Sequence, residues 1–452
     1  MRACYKYILV AVLAVGVIRS PVSAGADSGK AVEVLTIDDA VSIAEANNRL
    51  LKNAEIEIGK AQNEVEVTKT KRLPDLLMTA EGSQLLSPVR FEFDKGSLGT
   101  YPDVGPIPSV DTAISAKENF SVIANATLLQ PITQLYRINL GVRMQKDGVE
   151  IARESWRSQK HALICNVKQL YYGLAGLASA KKTVGESIAF LTELERFVSD
   201  NVKQGTTLES DLLEVQARLA RQKHQDFSLD SAIANTKEKL NVALGRDVSK
   251  DFSITSVSVA AAPTKSLAEL QDYAGKHRPE VRQSSLKVRI ARNDERSKRS
   301  EGGPEFSVGF TYTRFQNIEV IPDQLLTAGV VATWNEPFDW GRRKQERAEK
   351  AKNVQEAANG LEEARAEVTV DVDAGYRDLI DAISLLDADS AAVRAKEEKR
   401  RVAMNRYKEN AALLKDVLES DTELADANRQ YLDDQLAVST AGAKLDQAIG
   451  ED

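Results

Sequence analysis

The sequence is poor in the residues that carry metal, redox and disulfide chemistry. Its 452 residues include only two cysteines and three histidines, and the histidines are scattered at positions 161, 224 and 277. Cys4 precedes an apolar N-terminal run, so the chain beyond that run keeps Cys165 alone and has no pair for a disulfide. Neither histidines at ligand spacing nor a nucleophile elbow is present. We therefore predict a protein that is not an enzyme and that holds no metal and no cofactor.

Long apolar runs and an excess of positive charge are also missing. Beyond residue 24 the longest apolar stretch, near residues 325–334, has roughly half the length of a membrane-spanning helix but the length of a membrane β-strand. Lys and Arg number 60 against 67 Asp and Glu, which gives a formal net charge of −7. An acidic chain of this kind is not a broad electrostatic binder of nucleic acid, so no nucleic-acid partner is expected.

Residues 1–24 have the pattern of a secretory signal peptide. Arg2 and Lys6 precede an apolar run, and a group of small residues ends at Ala24. We predict cleavage after Ala24 and export of the chain.

The rest of the sequence repeats itself, with copies at residues 25–245 and 266–450 joined by a linker at 246–265. A shift of 230 aligns Ile37 with Leu267, and a shift of 206 aligns Pro131 with Pro337. The shift falls because the second copy lacks residues between its first helix and its long helix. We predict two internal structural repeats.

Each copy is predicted to contain a helix, two strands, a very long helix and a final helix. The first copy has its first helix at 37–72, strands at about 76–93 and 117–130, and helices at 131–203 and 208–244. The second copy has strands at about 305–315 and 326–335, and helices at 337–409 and 412–448. Pro131 and Pro337 mark the predicted strand–helix junctions, and Gly205 and Asn410 mark the turns between the last two helices.

The predicted strands alternate apolar and small polar residues, as Phe306, Phe310 and Tyr312 alternate with Thr311 and its neighbours. This pattern fits a soluble sheet on a core as well as a membrane sheet. Helices of about 70 residues offer no compact core for such a sheet, which favours the membrane. Since lipid does not tolerate an open sheet edge and four strands do not close alone, the barrel would be shared between subunits and continued by the helices as a tube.

The chain resembles the TolC family of outer-membrane efflux proteins over nearly all of its length after the predicted signal peptide. The resemblance rests on short motifs that occur in order: Leu-Thr-Ile-Asp-Asp-Ala-Val at 35–41, Leu-Pro-Asp-Leu at 73–76, Leu-Gln-Pro-Ile at 129–132, Glu-Pro-Phe-Asp-Trp-Gly-Arg-Arg at 336–343 and Asp-Val-Leu-Glu at 416–419. The chain departs from the family pattern at Gln134–Ile138, which lacks the usual glycine, and at Glu419, where the family has Asp.

The resemblance implies a mainly α fold with a small membrane β-sheet. A long antiparallel helical barrel protomer would contribute four strands to a shared 12-stranded trimeric β-barrel in the outer membrane of a Gram-negative bacterium, with most of the chain in the periplasm. The expected function is the passive exit duct of a tripartite efflux pump or type I secretion system. The implied partners are two further copies, a periplasmic membrane-fusion adaptor, an inner-membrane pump and outer-membrane lipid.

A soluble periplasmic coiled-coil scaffold or adaptor is the alternative function. It would explain the apolar residues that stand seven apart in the last helix, including Val417, Leu424 and Val438. It would not explain the four alternating strands, which occur as a pair in each repeat.

Four acidic residues just after the tip turns are the candidate functional residues. Asp416 and Glu419 are three positions apart and share a helix face, and Asp211 and Glu214 are their secondary counterparts in the first repeat. If the tunnel closes at this tip, as the resemblance implies, three copies of Asp416 and Glu419 would form a periplasmic-mouth ring that favours cations. Alternatively, these acids only complement the dipole of the helix that they begin.

Overall fold

The structure is a computed structural model, and it describes residues 33–84, 86, 87, 89–116, 120–255, 263–318, 322–334, 338–409 and 411–451. The predicted signal peptide at 1–24 lies outside the described residues, as do Pro337 and Asn410.

The described residues form a mainly helical chain with four small sheets. The first half contains β1 (Glu33–Leu35), α1 (Ile37–Asn47), α2 (Arg49–Thr70), β2 (Asp75–Gln84), β3 (Val89–Phe93), β4 (Thr100–Tyr101), β5 (Gly105–Pro106), β6 (Thr112–Ala116), β7 (Phe120–Pro131), α3 (Leu135–Lys203) and α4 (Glu209–Ala243). The second half contains β8 (Phe252–Ile254), α5 (Leu267–His277), α6 (Pro279–Arg299), β9 (Glu305–Gln316), β10 (Gln324–Thr333), α7 (Arg342–Lys408) and α8 (Leu414–Ile449).

The largest sheet has four antiparallel strands in the order β10-β9-β7-β2. It therefore joins two strands from each half of the chain, and β7 and β9 are its centre. Each strand has 10 to 12 residues and is attached to a helix at the same end of the sheet. The mainly α class with a small sheet is confirmed, and β9 and β10 lie within two residues of the predicted strands.

The first predicted helix, at residues 37–72, is two helices rather than one. The chain leaves the helical conformation at Asn48, whose φ and ψ are −60° and 129°. The Asn48 side-chain oxygen accepts hydrogen bonds from the N–H groups of Leu50 and Leu51, and its amide donates to the carbonyl of Ala243 at 2.9 Å. The prediction was wrong because apolar spacing continues across the break, whereas the cap is stabilised by a contact 195 residues away.

The predicted strand at 76–93 is also two elements. Its first part, β2, pairs with β7 in the four-stranded sheet, whereas β3 pairs with β6 in a separate hairpin. The segment between the two predicted strands, residues 94–116, contains strands β4, β5 and β6. The sequence did not indicate this hairpin, because the pairing of β3 with β6 depends on a contact across the residues between them.

Both long helices begin later than predicted. Pro131 is the last residue of β7, and α3 begins at Leu135. Likewise α7 begins at Arg342, after Gly341 with φ of 85°. Residues 132–134, between β7 and α3, form a turn. In that turn the N–H of Ile132 donates to the carbonyl of Phe306 at 3.0 Å.

The predicted linker contains a strand that the sequence did not indicate. Within 246–265, β8 pairs in parallel with β1. The hydroxyl of Tyr171 on α3 lies beneath this pair, donating to the carbonyl of Leu35 at 2.8 Å and lying 3.0 Å from the hydroxyl of Thr255. Tyr171 and Phe252 are fully buried here. This two-stranded sheet fixes the linker against the long helix.

The long helices α3 and α7, of 69 and 67 residues, form the length of the molecule. At about 1.5 Å per residue each is roughly 100 Å long. Helix α3 packs against α2 and α6 near the sheet and against α4 and α8 farther away, and α7 packs mainly on α6 and α8. The apolar core is correspondingly divided into separate clusters along these helices.

Candidate functional site

The two faces of the four-stranded sheet differ in chemistry. Residues directly opposite each other in antiparallel strands share a face, so the register assigns every side chain to one side. One face is apolar over the middle of all four strands and carries Leu76, Met78, Ala80, Val122, Ala124, Ala126, Leu128, Phe306, Val308, Phe310, Tyr312, Leu326, Ala328, Val330 and Ala332. The polar residues of this face lie towards its two ends and are Gln84, Gln130, Arg314, Gln316 and Gln324. The larger of these side chains are exposed, with Met78 at 73% and Leu326 at 74%.

The opposite face is polar in its central part. Thr127 and Thr311 hydroxyls are 3.2 Å apart across β7 and β9, and the hydroxyl of Thr313 donates to the side-chain oxygen of Asn125 at 2.8 Å. Thr79 and Thr327 lie on the same face of the two outer strands. Larger apolar residues on this face lie towards its ends. The sheet therefore has one side suited to an apolar medium and one suited to water.

The two outer strands have a partner on one side only within the described part of the chain. All ten residues of β2 and all ten of β10 are exposed. A strand edge of this kind presents unpaired N–H and carbonyl groups, which are a template for another strand.

The junction between sheet and helices is stabilised by polar contacts that sequence reasoning missed. Glu305, at the start of β9, accepts hydrogen bonds from Gln134 at 3.0 Å and from Arg137. Before α7, the carboxylate of Asp339 accepts hydrogen bonds from the N–H groups of Gly341 and Arg343. These backbone donors lower the pKa of Asp339. The sequence could have indicated this contact, because Asp339 stands shortly before the Gly-Arg-Arg motif at 341–343 where α7 begins.

At the opposite end of the molecule the two tip turns lie side by side. A buried apolar cluster joins α3, α4 and α8, including Leu194, Val215 and Val417, and Tyr407 of α7 packs against it. Gly205, in the first turn, has φ of 73°, a conformation in which glycine is favoured. The structure thus brings the ends of all four long helices together at one tip.

Asp416 and Glu419 lie on the exposed surface of the first turns of α8. The carboxylate of Asp416 accepts a hydrogen bond from the backbone N–H of Leu413 at 3.0 Å, so it caps the helix. The hydrogen bond with Glu423 raises the pKa of the Lys399 amine on α7, and the charge of Glu419 adds a smaller effect in the same direction. Both carboxylates are accessible to solvent. The hydrogen bond of Asp416 at the start of α8 is also what we expect if these acids only complement the helix dipole.

The corresponding residues of the first half are placed differently. Asp211 is half-buried in the first turn of α4. Burial, and to a smaller extent the charge of Asp211, raises the pKa of Tyr407. Glu214 is exposed on the same helix. The two halves of the tip therefore do not present equivalent carboxylates.

Two ion-pair groups between α7 and α8 behind the tip were not predicted. Arg400 donates to the buried Asp421 at 3.2 Å, and its guanidinium lies 4.8 Å from the centre of the Phe190 ring of α3. Burial raises the pKa of Asp421 although Arg400 and Arg218 oppose the shift. The carboxylate of Glu423 lies 2.8 Å from the amine of Lys396 and 2.7 Å from that of Lys399, which lowers its pKa to about 2.

Two kinds of feature are absent from the described residues. No helix in this part of the chain is both long and apolar enough to cross a membrane. In the same residues there is no group of three or more His, Cys, Asp and Glu side chains that could hold a metal ion. Cys165 is a buried thiol, and burial raises its pKa.

The fold, an α-helical protomer with a four-stranded two-faced sheet at one end, is that of known outer-membrane channels. The structure superposes on CusC with a TM-score of 0.77 at 14% identity, covering 95% of this chain and 96% of that one. It matches the Campylobacter jejuni outer-membrane channel CmeC at TM-score 0.75 and 16% identity, covering 92% and 85%. The Vibrio cholerae outer-membrane protein VceC gives 0.74 and 14%, covering 92% and 96%. At these identities the likeness shows the fold.

The family is given by the sequence. The sequence model of the outer membrane efflux protein family matches residues 40–246 and 270–451, which is most of the chain. The chain belongs to the outer membrane efflux protein family, and the predicted resemblance is confirmed. Its function is that of an outer-membrane efflux channel. A search of curated proteins finds no match.

Proposed function

We propose that three copies of this chain form the passive exit duct of a tripartite efflux pump or a type I secretion system, with no catalytic step of its own. The observation that supports this most directly is the two-faced sheet with two outer strands. Strands of 10 to 12 residues have the length needed to cross a bilayer when tilted. The apolar face would contact lipid, and the polar face would line the lumen.

In this proposal the barrel is closed by strands from neighbouring copies of the chain, because an open sheet edge is costly in lipid. Each unpaired N–H or carbonyl group in a bilayer costs several kcal/mol, and about eight strands make the smallest barrel. Joining β2 of one copy to β10 of the next removes both edges. Three copies supply a 12-stranded barrel with a water-filled lumen, and α3 and α7 continue it as a helical tunnel in the periplasm of a Gram-negative bacterium.

Within this proposal the helix tips form the periplasmic mouth. The accessible carboxylates of Asp416 and Glu419 would repeat three times around it as a cation-favouring ring, with Asp211 and Glu214 as weaker contributors. Gly205 and Asn410 would be the tip turns, and Pro131 and Pro337 the strand–helix junctions.

A periplasmic adaptor and an inner-membrane pump are the expected partners. The chain would be exported by residues 1–24 and organised as two repeats around a linker at 246–265.

The shared barrel is tested by disulfide trapping between copies. Thr79→Cys on β2 is combined in turn with cysteine at Thr327, Gly329 or Val331 on β10, all of which lie on the polar face. Mild oxidation of isolated outer membranes should produce covalent dimers and trimers with at least one of these pairs. The matched control, Thr79→Cys with Thr311→Cys, places the second cysteine on the central strand β9 and should give no covalent oligomer.

The soluble scaffold predicts a different result in the same preparation. A scaffold would be released with the periplasm and would remain monomeric on oxidation with every pair. Release of the chain in soluble form, with no covalent oligomer from any β2–β10 pair, would overturn the duct.

A further inference from the structure

The end of the large sheet at which its helices are attached carries a strong positive charge. The eleven residues nearest the sheet in α2, α3, α6 and α7 are 60–70, 135–145, 289–299 and 342–352. Together these segments contain 15 Lys and Arg and six Asp and Glu, a formal net charge of +9 in a chain whose total is −7. The sheet end of the helices is therefore a basic region of an acidic protein.

The opposite end of the long helices has no such charge. The corresponding segments at the tip are 193–203, 209–219, 398–408 and 414–424. They contain nine Lys and Arg against eleven Asp and Glu. The positive charge is therefore not a general property of these helices, but is confined to the boundary between helices and sheet.

Acidic side chains at this boundary compensate only some of the cations. The amine of Lys298 lies 2.7 Å from a carboxylate oxygen of Glu301 and 2.9 Å from one of Glu346, and the amine of Lys350 lies 2.9 Å from Asp294. The exposed basic residues of the boundary that form no ion pair with an acidic side chain in the described part of the chain are Arg292, Arg296, Lys344, Arg347 and Lys352. The boundary therefore presents a surplus of accessible positive charge.

Helix stability does not explain the cations that begin α7. A helix dipole favours negative charge at the start of a helix and positive charge at its end. The last turn of α6 is basic, as this rule expects. The first turn of α7, by contrast, contains Arg342, Arg343 and Lys344 and no acidic residue. These cations oppose the dipole of their own helix, so their position calls for a different reason.

Exposed aromatic side chains stand beside the same cations. Trp334 follows β10, two residues beyond Ala332 in the alternation of the apolar face. Phe338 and Trp340, which precede α7, are also exposed, and Trp340 is 98% exposed. Aromatic rings of this kind are enriched where acyl chains meet headgroups, because one end of the ring is apolar and the other tolerates water. These three residues place aromatic rings between the apolar face and the cations of α7.

We propose that an aromatic and basic collar, consisting of Trp334, Phe338, Trp340, Lys344 and Arg347, binds the headgroups of anionic phospholipids at the periplasmic surface of the outer membrane. The rings lie where acyl chains meet headgroups, and the two cations contact headgroup phosphates. Positive charge near a membrane surface attracts anionic lipid, so the collar favours such a lipid over a zwitterionic one. This inference rests on the proposed function, because it needs the sheet to lie in the bilayer.

The test is tryptophan fluorescence of the full protein, purified in detergent and reconstituted in equimolar phosphatidylglycerol and phosphatidylcholine. The chain has three tryptophans, and Trp156→Phe leaves only the two of the collar. One lipid at a time carries bromine on its acyl chains, which quenches an indole that it contacts. The quenching should correspond to a preference for phosphatidylglycerol of at least about fivefold, the effect of one cation near a membrane surface. At 1 M salt the preference should disappear, because the screening length falls to about 3 Å.

Matched variants locate the effect. Lys344→Gln with Arg347→Gln removes two exposed charges from the sheet end of α7 and should remove most of the preference. Arg406→Gln with Lys408→Gln removes two exposed charges from the tip end of the same helix and should leave the preference unchanged.

A charge-conserving variant separates charge from local structure. Arg347 also donates a hydrogen bond to the backbone carbonyl of Arg299 at 3.3 Å, so its removal affects more than charge. Lys344→Arg with Arg347→Lys alters this contact but keeps both charges, and it should retain the preference for phosphatidylglycerol. Loss of the preference in this variant would contradict recognition by charge.

The remaining outcomes separate the collar from the duct. Equal quenching by the two lipids in the unmodified collar, or a preference that survives Lys344→Gln with Arg347→Gln, would overturn the collar and leave the proposed duct standing. Absence of quenching by either lipid would show that the collar does not meet a bilayer, and it would count against the duct as well.

Discussion

Arg218 of α4 donates a hydrogen bond to the backbone carbonyl of Leu418 of α8, across 3.0 Å at the tip. The same guanidinium contacts the hydroxyl of Thr422 one turn along. These contacts join the two halves of the chain, which are 200 residues apart in sequence. A side chain of the first half therefore holds the first turns of α8, the helix that carries Asp416.

Removing this link should loosen the tip. We expect Arg218→Ala to lower stability by about 1.5–3 kcal/mol, the usual contribution of a hydrogen bond that involves a charged group. Channels in planar bilayers should open more often or to a higher conductance. Arg221→Ala, an exposed position on the same helix, is the matched control and should behave like the unmodified protein. Equal opening of all three proteins would contradict a role for Arg218 in closing the tip.

Neutralising the proposed mouth ring should reduce cation selectivity. Asp416→Asn and Glu419→Gln together remove two negative charges per copy, while Asn at 416 keeps an oxygen that can accept from the Leu413 N–H. Reversal potentials in a salt gradient should move towards zero. Asp426→Asn, an exposed carboxylate two turns farther along α8, is the control. Selectivity that is unchanged in the double variant would refute the ring and leave Asp416 as a helix cap.

Glu423 should make the contact between α7 and α8 weaker in strong acid. The amines of Lys396 and Lys399 lower its pKa to about 2, below the ordinary value of 4.5. Its contribution is therefore present above about pH 4.5 and is lost as the pH falls towards 2. Thermal unfolding followed by circular dichroism should show a smaller fall in midpoint between pH 6 and pH 3 for Glu423→Gln. Glu397→Gln should keep the fall of the unmodified protein, and an identical fall in both variants would contradict the assignment.

Loss of the Tyr171 hydroxyl should lower the stability of the protein far more than loss of the Tyr376 hydroxyl in the second half. Tyr171→Phe leaves the carbonyl of Leu35 and the N–H of Thr255 without this partner in a buried site. We expect a loss of about 1–3 kcal/mol in the free energy of unfolding. Tyr376→Phe on α7, which a shift of 205 aligns with Tyr171, is the control because Tyr376 is only partly buried. Similar losses in denaturant titrations of both variants would show that the contact with β1 and β8 contributes little.

The order of helices and strands was largely predictable because each depends on local periodicity. Alternation in β9 and β10 located those strands to within two residues, and apolar spacing located α3, α4, α7 and α8. The candidate carboxylates were found because they follow recognisable turns. The break at Asn48, the hairpin of β3 with β6 and the pairing of β1 with β8 were missed. Each of them is stabilised by groups far away in sequence, which leave no local pattern.

The sequence by itself determined the family, the long helices and the two faces of the strands, since composition and spacing along the chain encode these directly. Only the tertiary structure decided which residues meet across the helices. It placed Arg218 on Leu418, gave Asp416 a capping hydrogen bond, and brought Arg400 to Asp421. Such contacts depend on how two helices are aligned along their length, and residue spacing within one helix carries no information about that alignment.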